Sequence, residues 1–282
     1  MILVTGATGN VGRHVLTRLS ATGAPGVRAL VLPQEAASVR VPDGVGVVPG
    51  SLDAPGGLDE ALTGVGTVFL IWPFLTTQGA PAVLEAIGGH ARRVVYLSSI
   101  GVDGRPEEQD DPIFRLHTDM EGLIERSGLP RTVLRADTIA SNTLGWADQI
   151  RATGVVHGPL TAATAVIDPR DIAAVAARAL TDDAHRGATH LLTGPRVISR
   201  PEQVRAIGTA IGRELRFEEV PVPDARARML ADGRPPALVD ALLAAAEKRS
   251  ASSLVTSTVE DLTGRPPYDF RQWAHDHRES FR

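Results

Sequence analysis

In the first half of the chain, short unbroken apolar runs alternate with stretches in which apolar residues recur every three or four positions. Ile2 to Thr5, Val27 to Leu32, Gly46 to Val48, Thr67 to Trp72, Val94 to Ser98 and Thr132 to Arg135 read as strands. Runs with little polar interruption suit parallel strands buried on both faces. Between the first two runs, Val11, Val15 and Leu19 recur at i, i+4 and i+8. Arg13, His14 and Arg18 take the other faces, and Gly23 supplies the stop. A second helical pattern follows Leu58, and a third runs from Ala82 to Ala91. Strand–helix alternation of this kind predicts an α/β protein with a doubly wound parallel sheet.

Past residue 136 the alternation weakens. Asp168 before Pro169 reads as an N-cap with proline at the first helical position, opening a helix through Leu180. Ser199 with Glu202 fits a capping box whose helix ends at Gly212. Residues 235 to 249, rich in alanine and leucine, predict another helix, and prolines at 221–223, 235–236 and 266–267 punctuate the region. The expected division is a main domain over 1–136 and a smaller, mostly helical substrate-side lobe over 137–282. The lobe returns some segments to the main core.

Composition narrows the class. The 282 residues carry a formal net charge of −4, which offers no electrostatic reason to expect a nucleic acid or an anionic membrane as partner. No run of about 18 apolar residues occurs. Met1 leads directly into a strand rather than a signal peptide, so a cytoplasmic protein is expected. The absence of cysteine excludes disulfides and thiolate chemistry, and His275 and His277 lack companions for a metal, so none is expected. Lys248 is the only lysine, and Tyr96 and Tyr268 are the only tyrosines. Any mechanism that needs Tyr-x-x-x-Lys is excluded by inspection.

Thr5-Gly6-Ala7-Thr8-Gly9-Asn10-Val11-Gly12 lies between the first strand and the first helix. Gly6 permits a tight turn, Gly9 lets backbone approach a pyrophosphate, and Gly12 allows close helix–strand packing. Phosphates would meet free N–H groups at the helix N-terminus, and the strand–turn–helix setting is the one this motif requires. A dinucleotide cofactor is expected, contacting Gly6, Thr8, Gly9, Asn10, Val11, Gly12 and Arg13. Some 20 residues further on, an acid would select NAD and an arginine NADP, but Leu32 stands there. Arg13 is the nearest cation, equally readable as a solvated helix arginine.

The turn TGATGNVGR, together with SGLPRTVLR (127–135), IDPRDIAAVAARAL (167–180), LLTGP (191–195) and TVEDLTGRPPYDFRQWA (258–274), resembles the NmrA-like group of atypical short-chain dehydrogenases/reductases. The resemblance implies a Rossmann-type domain that prefers NADP(H), with NAD(H) the alternative, and a C-terminal lobe closing over a substrate cleft. Three departures stand out. Leu32 replaces a common arginine, and Gly50-Ser51-Leu52 replaces Gly-Asp-Leu beside the adenine. Ile113 and His117 occupy the positions of the Tyr-x-x-x-Lys pair.

Carbonyl reduction needs a group that stabilises or protonates the developing alkoxide. Ser98 and Ser99 end the fifth strand, at the carboxyl edge where ligands of open sheets bind. Ser98 is a candidate nicotinamide contact and Ser99 a candidate catalytic group. His117 falls with Ile113, Met120 and Ile124 on the inward face of one helix. It reads either as a proton relay, because an unperturbed imidazole titrates near neutrality, or as a satisfied core histidine. Trp72 and Pro73 follow the fourth strand, where backbone runs beside a cofactor. Asn142 and Trp146 either line the substrate cleft or pack in the core. The expected activity is NAD(P)H-dependent reduction of a small or aromatic carbonyl substrate, ketone or quinone, with substrate assistance in place of the missing dyad. Tailoring of an antibiotic or polyketide is the expected setting. The alternative is a non-catalytic NAD(P) sensor.

Overall fold

A computed structural model describes residues 1–103, 111–249 and 253–282. Among them, seven strands form the central sheet: β1 (Ile2–Val4), β2 (Val27–Val31), β3 (Val45–Pro49), β4 (Thr67–Leu70), β5 (Arg93–Ser99), β6 (Arg131–Ala136) and, later in the chain, Thr189–Leu192. Two more, β7 (Val155–Gly158) and β9 (Arg216–Glu219), pair with each other, so Thr189–Leu192 is β8. The large sheet runs β3-β2-β1-β4-β5-β6-β8 and every pairing in it is parallel. The order reverses between β1 and β4, and that switch point is where open α/β sheets bind ligands.

The six expected strands all form, with ends displaced by up to two residues. β4 stops at Leu70, which leaves Trp72 beyond the strand. β8 was not expected. It is an edge strand of sequence THLL with only Leu192 fully buried, so it lacks the unbroken apolar run used to recognise the others.

One face of the sheet carries α1 (Gly12–Ala21), which buries Val15, Leu16 and Leu19. Each such side chain contributes about 1.5–3 kcal/mol by leaving water. The other face carries α2 (Asp59–Leu62), α3 (Ala80–His90) and α4 (Pro112–Arg126). α4 starts at Asp111, whose carboxylate accepts from the Ile113 and Phe114 amides at 2.8 and 3.2 Å. Beyond the sheet come α5 (Ala147–Thr153) and α6 (Pro169–Thr181). α6 returns to the α1 face, burying four alanines and Ile172, Val175 and Leu180 there. Small side chains let its axis lie close to the strands.

α7 (Arg200–Ile211) opens with the expected capping box and closes at Gly212. It is followed by α8 (Val222–Ala231), α9 (Pro236–Lys248), α10 (Thr258–Thr263) and α11 (Phe270–Asp276). α5, α7 and α11 share a separate core around the fully buried Trp273, while Val259 of α10 joins the core of the sheet.

A charged staple ties this tail to α6. Arg170 makes a two-pronged contact with the Asp168 carboxylate (3.0 and 2.6 Å) and a further bond to Asp276 (2.8 Å). The Arg170 and Arg265 guanidinium groups lie 4.2 and 4.1 Å from the centre of the Tyr268 ring. Arg265 also faces Asp171 at 2.7 Å. Burial nevertheless holds the Asp171 carboxyl above its ordinary range, at about 6, against the opposing pull of the Tyr268 amide and Arg265. Among the described residues no helix is long and apolar enough to cross a membrane.

Candidate cofactor and substrate site

The glycine turn leaves β1 directly at the switch point. Thr5, fully buried, locks β1 to the end of β4: its hydroxyl accepts from the Ile71 amide (2.8 Å) and faces the Ile71 carbonyl at 3.2 Å. Gly6 has φ +58°, a left-handed conformation that glycine adopts without strain. Gly12 is constrained by space: a Cβ there would lie 2.1 Å from the Gly6 carbonyl oxygen. The side chains of Thr8, Asn10 and Arg13 and the backbone of Gly9 remain exposed along the rim, whereas Val11 is buried beneath it. This cradle, closed to side chains at Gly12 and open above Gly9, fits a pyrophosphate over the α1 N-terminus.

The other expected cofactor contacts surround the turn unequally. Leu32 is 39% exposed just past β2, and Pro73 is exposed past β4. Leu52 and Trp72 are buried within the core beneath α3 and α4. The Trp72 indole donates to the Thr76 carbonyl at 2.9 Å and meets Phe74 edge-on.

Successive same-face residues of β5 grip successive turns of α4. The Ser98 hydroxyl donates to the Glu121 carboxylate at 2.5 Å, and Arg135 of β6 pairs with the same carboxylate at 3.0 and 2.7 Å. Ser98 is thus buried with its hydroxyl engaged, while Ser99 stays half-buried at the strand end. Two residues earlier, the Tyr96 hydroxyl lies 2.8 Å from His117 Nδ1. Two tautomers satisfy that contact: the phenol donates to Nδ1 with the ring proton on Nε2, or Nδ1 donates to the phenol oxygen.

Burial sets the protonation of both groups. The Tyr96 phenol is raised well above its ordinary value by burial first and by the Glu121 charge second. His117 is lowered to about 4 by burial, then by the positive charge of Arg249, with Asp111 opposing. Of the two readings of His117, these shifts favour the buried, neutral ring at pH 7 over one poised near neutrality, because burial disfavours the second proton. Asn142 and Trp146 lie on a 3₁₀ stretch, Ala140–Trp146, where Trp146 packs against the core around Trp273. Among the described residues no group of His, Asp and Glu could hold a metal ion.

Tyr96 was missed as a partner of His117 because a tyrosine inside an apolar strand reads as core. The signal was present in the spacing: Tyr96 and Ser98 share one strand face, and His117 and Glu121 lie four apart on the helix that covers it.

A parallel sheet with this strand order and a glycine cradle at its switch point defines a dinucleotide-binding α/β protein. The chain belongs to the NmrA-like family, whose model matches residues 1–250. It is 41% identical over 285 residues to the (4-alkanoyl-5-oxo-2,5-dihydrofuran-3-yl)methyl phosphate reductase of Streptomyces griseus, covering 100% of this chain and 99% of that one. It is 32% identical to the NAD(P)H azoreductase of Xenophilus azovorans, with the same coverage. The crystal structure of an NADPH-dependent quinone oxidoreductase from Escherichia coli superposes with a TM-score of 0.79 at 25% identity, over 98% of this chain and 99% of that one.

Proposed function

We infer that this chain is an NADPH-dependent reductase that adds hydride to a conjugated, electron-poor carbonyl compound. The observation that carries the reading is the Tyr96–His117 pair, in which both groups are held neutral at pH 7. Neither is a strong acid there, so an isolated ketone would leave its alkoxide without a proton source. A conjugated acceptor removes that demand, because the incoming electron pair is delocalised onto oxygens away from the carbon attacked. The relatives support a conjugated acceptor: one is named for a quinone and one for an acyl dihydrofuranone phosphate, both carbonyl compounds, and one for an azo compound. The double bond of that furanone ring is conjugated to two carbonyls. An aromatic polyketide, the acceptor expected from the sequence, falls in the same class.

Bound at the glycine turn, the cofactor supplies the hydride. The chain's own part is positional. Gly6, Gly9 and Gly12 shape the pyrophosphate cradle, and the Thr5–Ile71 lock fixes it against β4. The phenol of Tyr96 donates to His117 Nδ1, which leaves the ring proton on Nε2. That N–H donates to the acceptor oxygen as negative charge develops on it, and solvent then protonates the product. NADPH is preferred over NADH because Leu32 supplies no acid to bind the ribose hydroxyls or repel a 2′-phosphate, and Arg13 is exposed one turn away.

A panel of acceptors tests the reading, followed by loss of the reduced-nicotinamide absorbance. Quinones and acyl butenolides should turn over, and unconjugated ketones of similar size should not. Equal turnover of unconjugated ketones would overturn the mechanism. NADPH binding with no turnover of any acceptor would instead favour a sensor.

A further inference from the structure

The sheet holds α4 at two polar points, and only one of them is the imidazole that the mechanism uses. Glu121 lies one turn after His117 in α4, and Ser98 lies two residues after Tyr96 in β5, so each pair shares one face of its element. Ser98 is also the register partner of Arg135 on β6. Both side chains meet the Glu121 carboxylate: Ser98 donates at 2.5 Å, and Arg135 donates from Nε at 3.0 Å and from Nη2 at 2.7 Å. Together with the Tyr96–His117 contact at 2.8 Å these bonds close a ring, from β5 through phenol, imidazole, one helix turn and carboxylate back to β5. The Arg135 and Glu121 side chains are 12% and 13% exposed, so solvent screens the pair little.

The apolar side of α4 cannot supply the same constraint. Leu116, Met120 and Ile124 hold the helix against the sheet, but apolar contact has no direction and tolerates sliding and rotation. A carboxylate held from two strands tolerates neither, because a shift of about 0.5 Å takes a bond of this kind to the end of its range. His117 has a matching need. Its Nδ1 is engaged with the Tyr96 phenol, and among the described residues Nε2 bonds to nothing, so Nε2 is the nitrogen left for a ligand. A donor that meets developing charge must be held to within about 0.5 Å of its working position.

We propose that Glu121, held by Ser98 and Arg135, is the positioning residue of His117, fixing the height and rotation of α4 so that Nε2 meets the acceptor oxygen. Ser98, expected beside the nicotinamide, then serves the helix instead. The inference rests on the reductase reading for what Nε2 meets, and one arm of its test needs no turnover.

Two substitutions separate reach from charge: Glu121→Asp keeps the charge but is one methylene short, and Glu121→Gln keeps the length and an acceptor oxygen without the charge. In single-turnover reduction of a conjugated acceptor by NADPH-saturated protein, Glu121→Asp should slow the maximal rate about tenfold or more, and Glu121→Gln should slow it less. Half-saturating acceptor concentration and NADPH affinity should stay as in wild type. In His117→Gln protein, Glu121→Asp should cost nothing further, because its effect runs through that ring. Ser98→Ala removes one hydrogen bond and little volume, and should give a smaller loss of the same kind even where a Glu121 variant does not fold. Arg131→Met breaks the exposed Arg131–Glu125 pair between the same two elements, and should match wild type. Ring-nitrogen chemical shifts of His117, recorded without acceptor, should show the Nε2–H tautomer in wild type and a mixture in Glu121→Asp.

Folded Glu121→Asp protein with an unchanged rate and a single tautomer would overturn the proposal. So would a larger loss in Glu121→Gln than in Glu121→Asp, or a full further loss in the His117→Gln background. A mixed tautomer in Glu121→Asp, when wild type turns over no acceptor at all, would uphold the positioning of His117 and overturn the reductase reading alone.

Discussion

Two groups of arginines in the C-terminal half are built in opposite ways. Around α6 and α11 two guanidinium groups face acid: Arg170 holds Asp168 and Asp276, and Arg265 faces Asp171. Hydrogen bonding to Asp168 raises Arg170 above its ordinary value. Around α7 and α9, Arg249 pairs with Asp111, Arg200 and Arg234 donate to the backbone carbonyls of Pro159 and Gly145, and burial lowers Arg200 instead. The first group is complete as it stands and holds the tail to the sheet. The second is bonded mainly to backbone, and Asp111 is its one carboxylate partner among the described residues. Arginine in this chain therefore has two uses, distinguished by whether its partners are acids or backbone carbonyls.

Removing a member of the completed group should have the largest effect on stability. Arg170→Met strands Asp168, whose side chain is 1% exposed, and a buried charge left without its partner costs about 3–5 kcal/mol. Urea unfolding measures it. A loss below about 1 kcal/mol would mean that the staple behaves as a surface ion pair.

Acid titration comes next and separates two sites. His117 titrates near 4 in the folded protein, against 6.5 ordinarily, so the unfolded chain takes its proton first as pH falls. Its contribution is whole above 6.5 and is lost by pH 4, on the order of 3 kcal/mol. Asp171 has the opposite sign. Raised to about 6 from 3.8, it favours the folded state below 3.8 and loses that contribution as pH rises through 6. The two largely cancel between pH 4 and 6. His117→Gln should therefore expose a protein that gains stability on acidification, and Asp171→Asn one that loses it more steeply. Unfolding free energies across that range decide this, and identical slopes in both variants would contradict it.

A smaller effect sharpens the comparison from the other side. Arg200→Met should leave stability unchanged or raise it by about 1 kcal/mol, because it removes a half-buried charge that has no carboxylate partner among the described residues. A loss of the size expected for Arg170→Met would show that Arg200 has an acidic partner as well as the Pro159 carbonyl. The smallest effect concerns cofactor choice. Arg13→Ala should reduce an NADPH preference of about tenfold, near 1.4 kcal/mol, towards equality. Dissociation constants for both nucleotides check it, and an unchanged ratio would clear Arg13 of the role.

The sheet was legible in the sequence because buried parallel strands are continuous apolar runs, and the helix caps at Asp168 and Ser199 were legible because capping is local chemistry. β8 was not, since an edge strand with Thr189 and His190 shows no such run. The glycine turn and His117 could be singled out from spacing alone. The protonation of His117 could not, because it is set by burial in the folded chain and then by the charge of Arg249, which lies far away in sequence. The arginine group was invisible for the same reason. Arg200, Arg234 and Arg249 are spread over 50 residues among many other arginines, and what sets Arg200 and Arg234 apart is that their partners are backbone carbonyls.

The central claim is that hydride transfer here proceeds without a protein acid titrating near neutrality. The pH dependence of single-turnover NADPH oxidation, with a saturating conjugated acceptor, tests it directly. The rate should be flat from about pH 6 to about pH 9, because His117 is already neutral and Tyr96 still protonated across that range. A limb with a midpoint near 7 that vanishes in His117→Gln would contradict the account, and would make the imidazolium the proton donor.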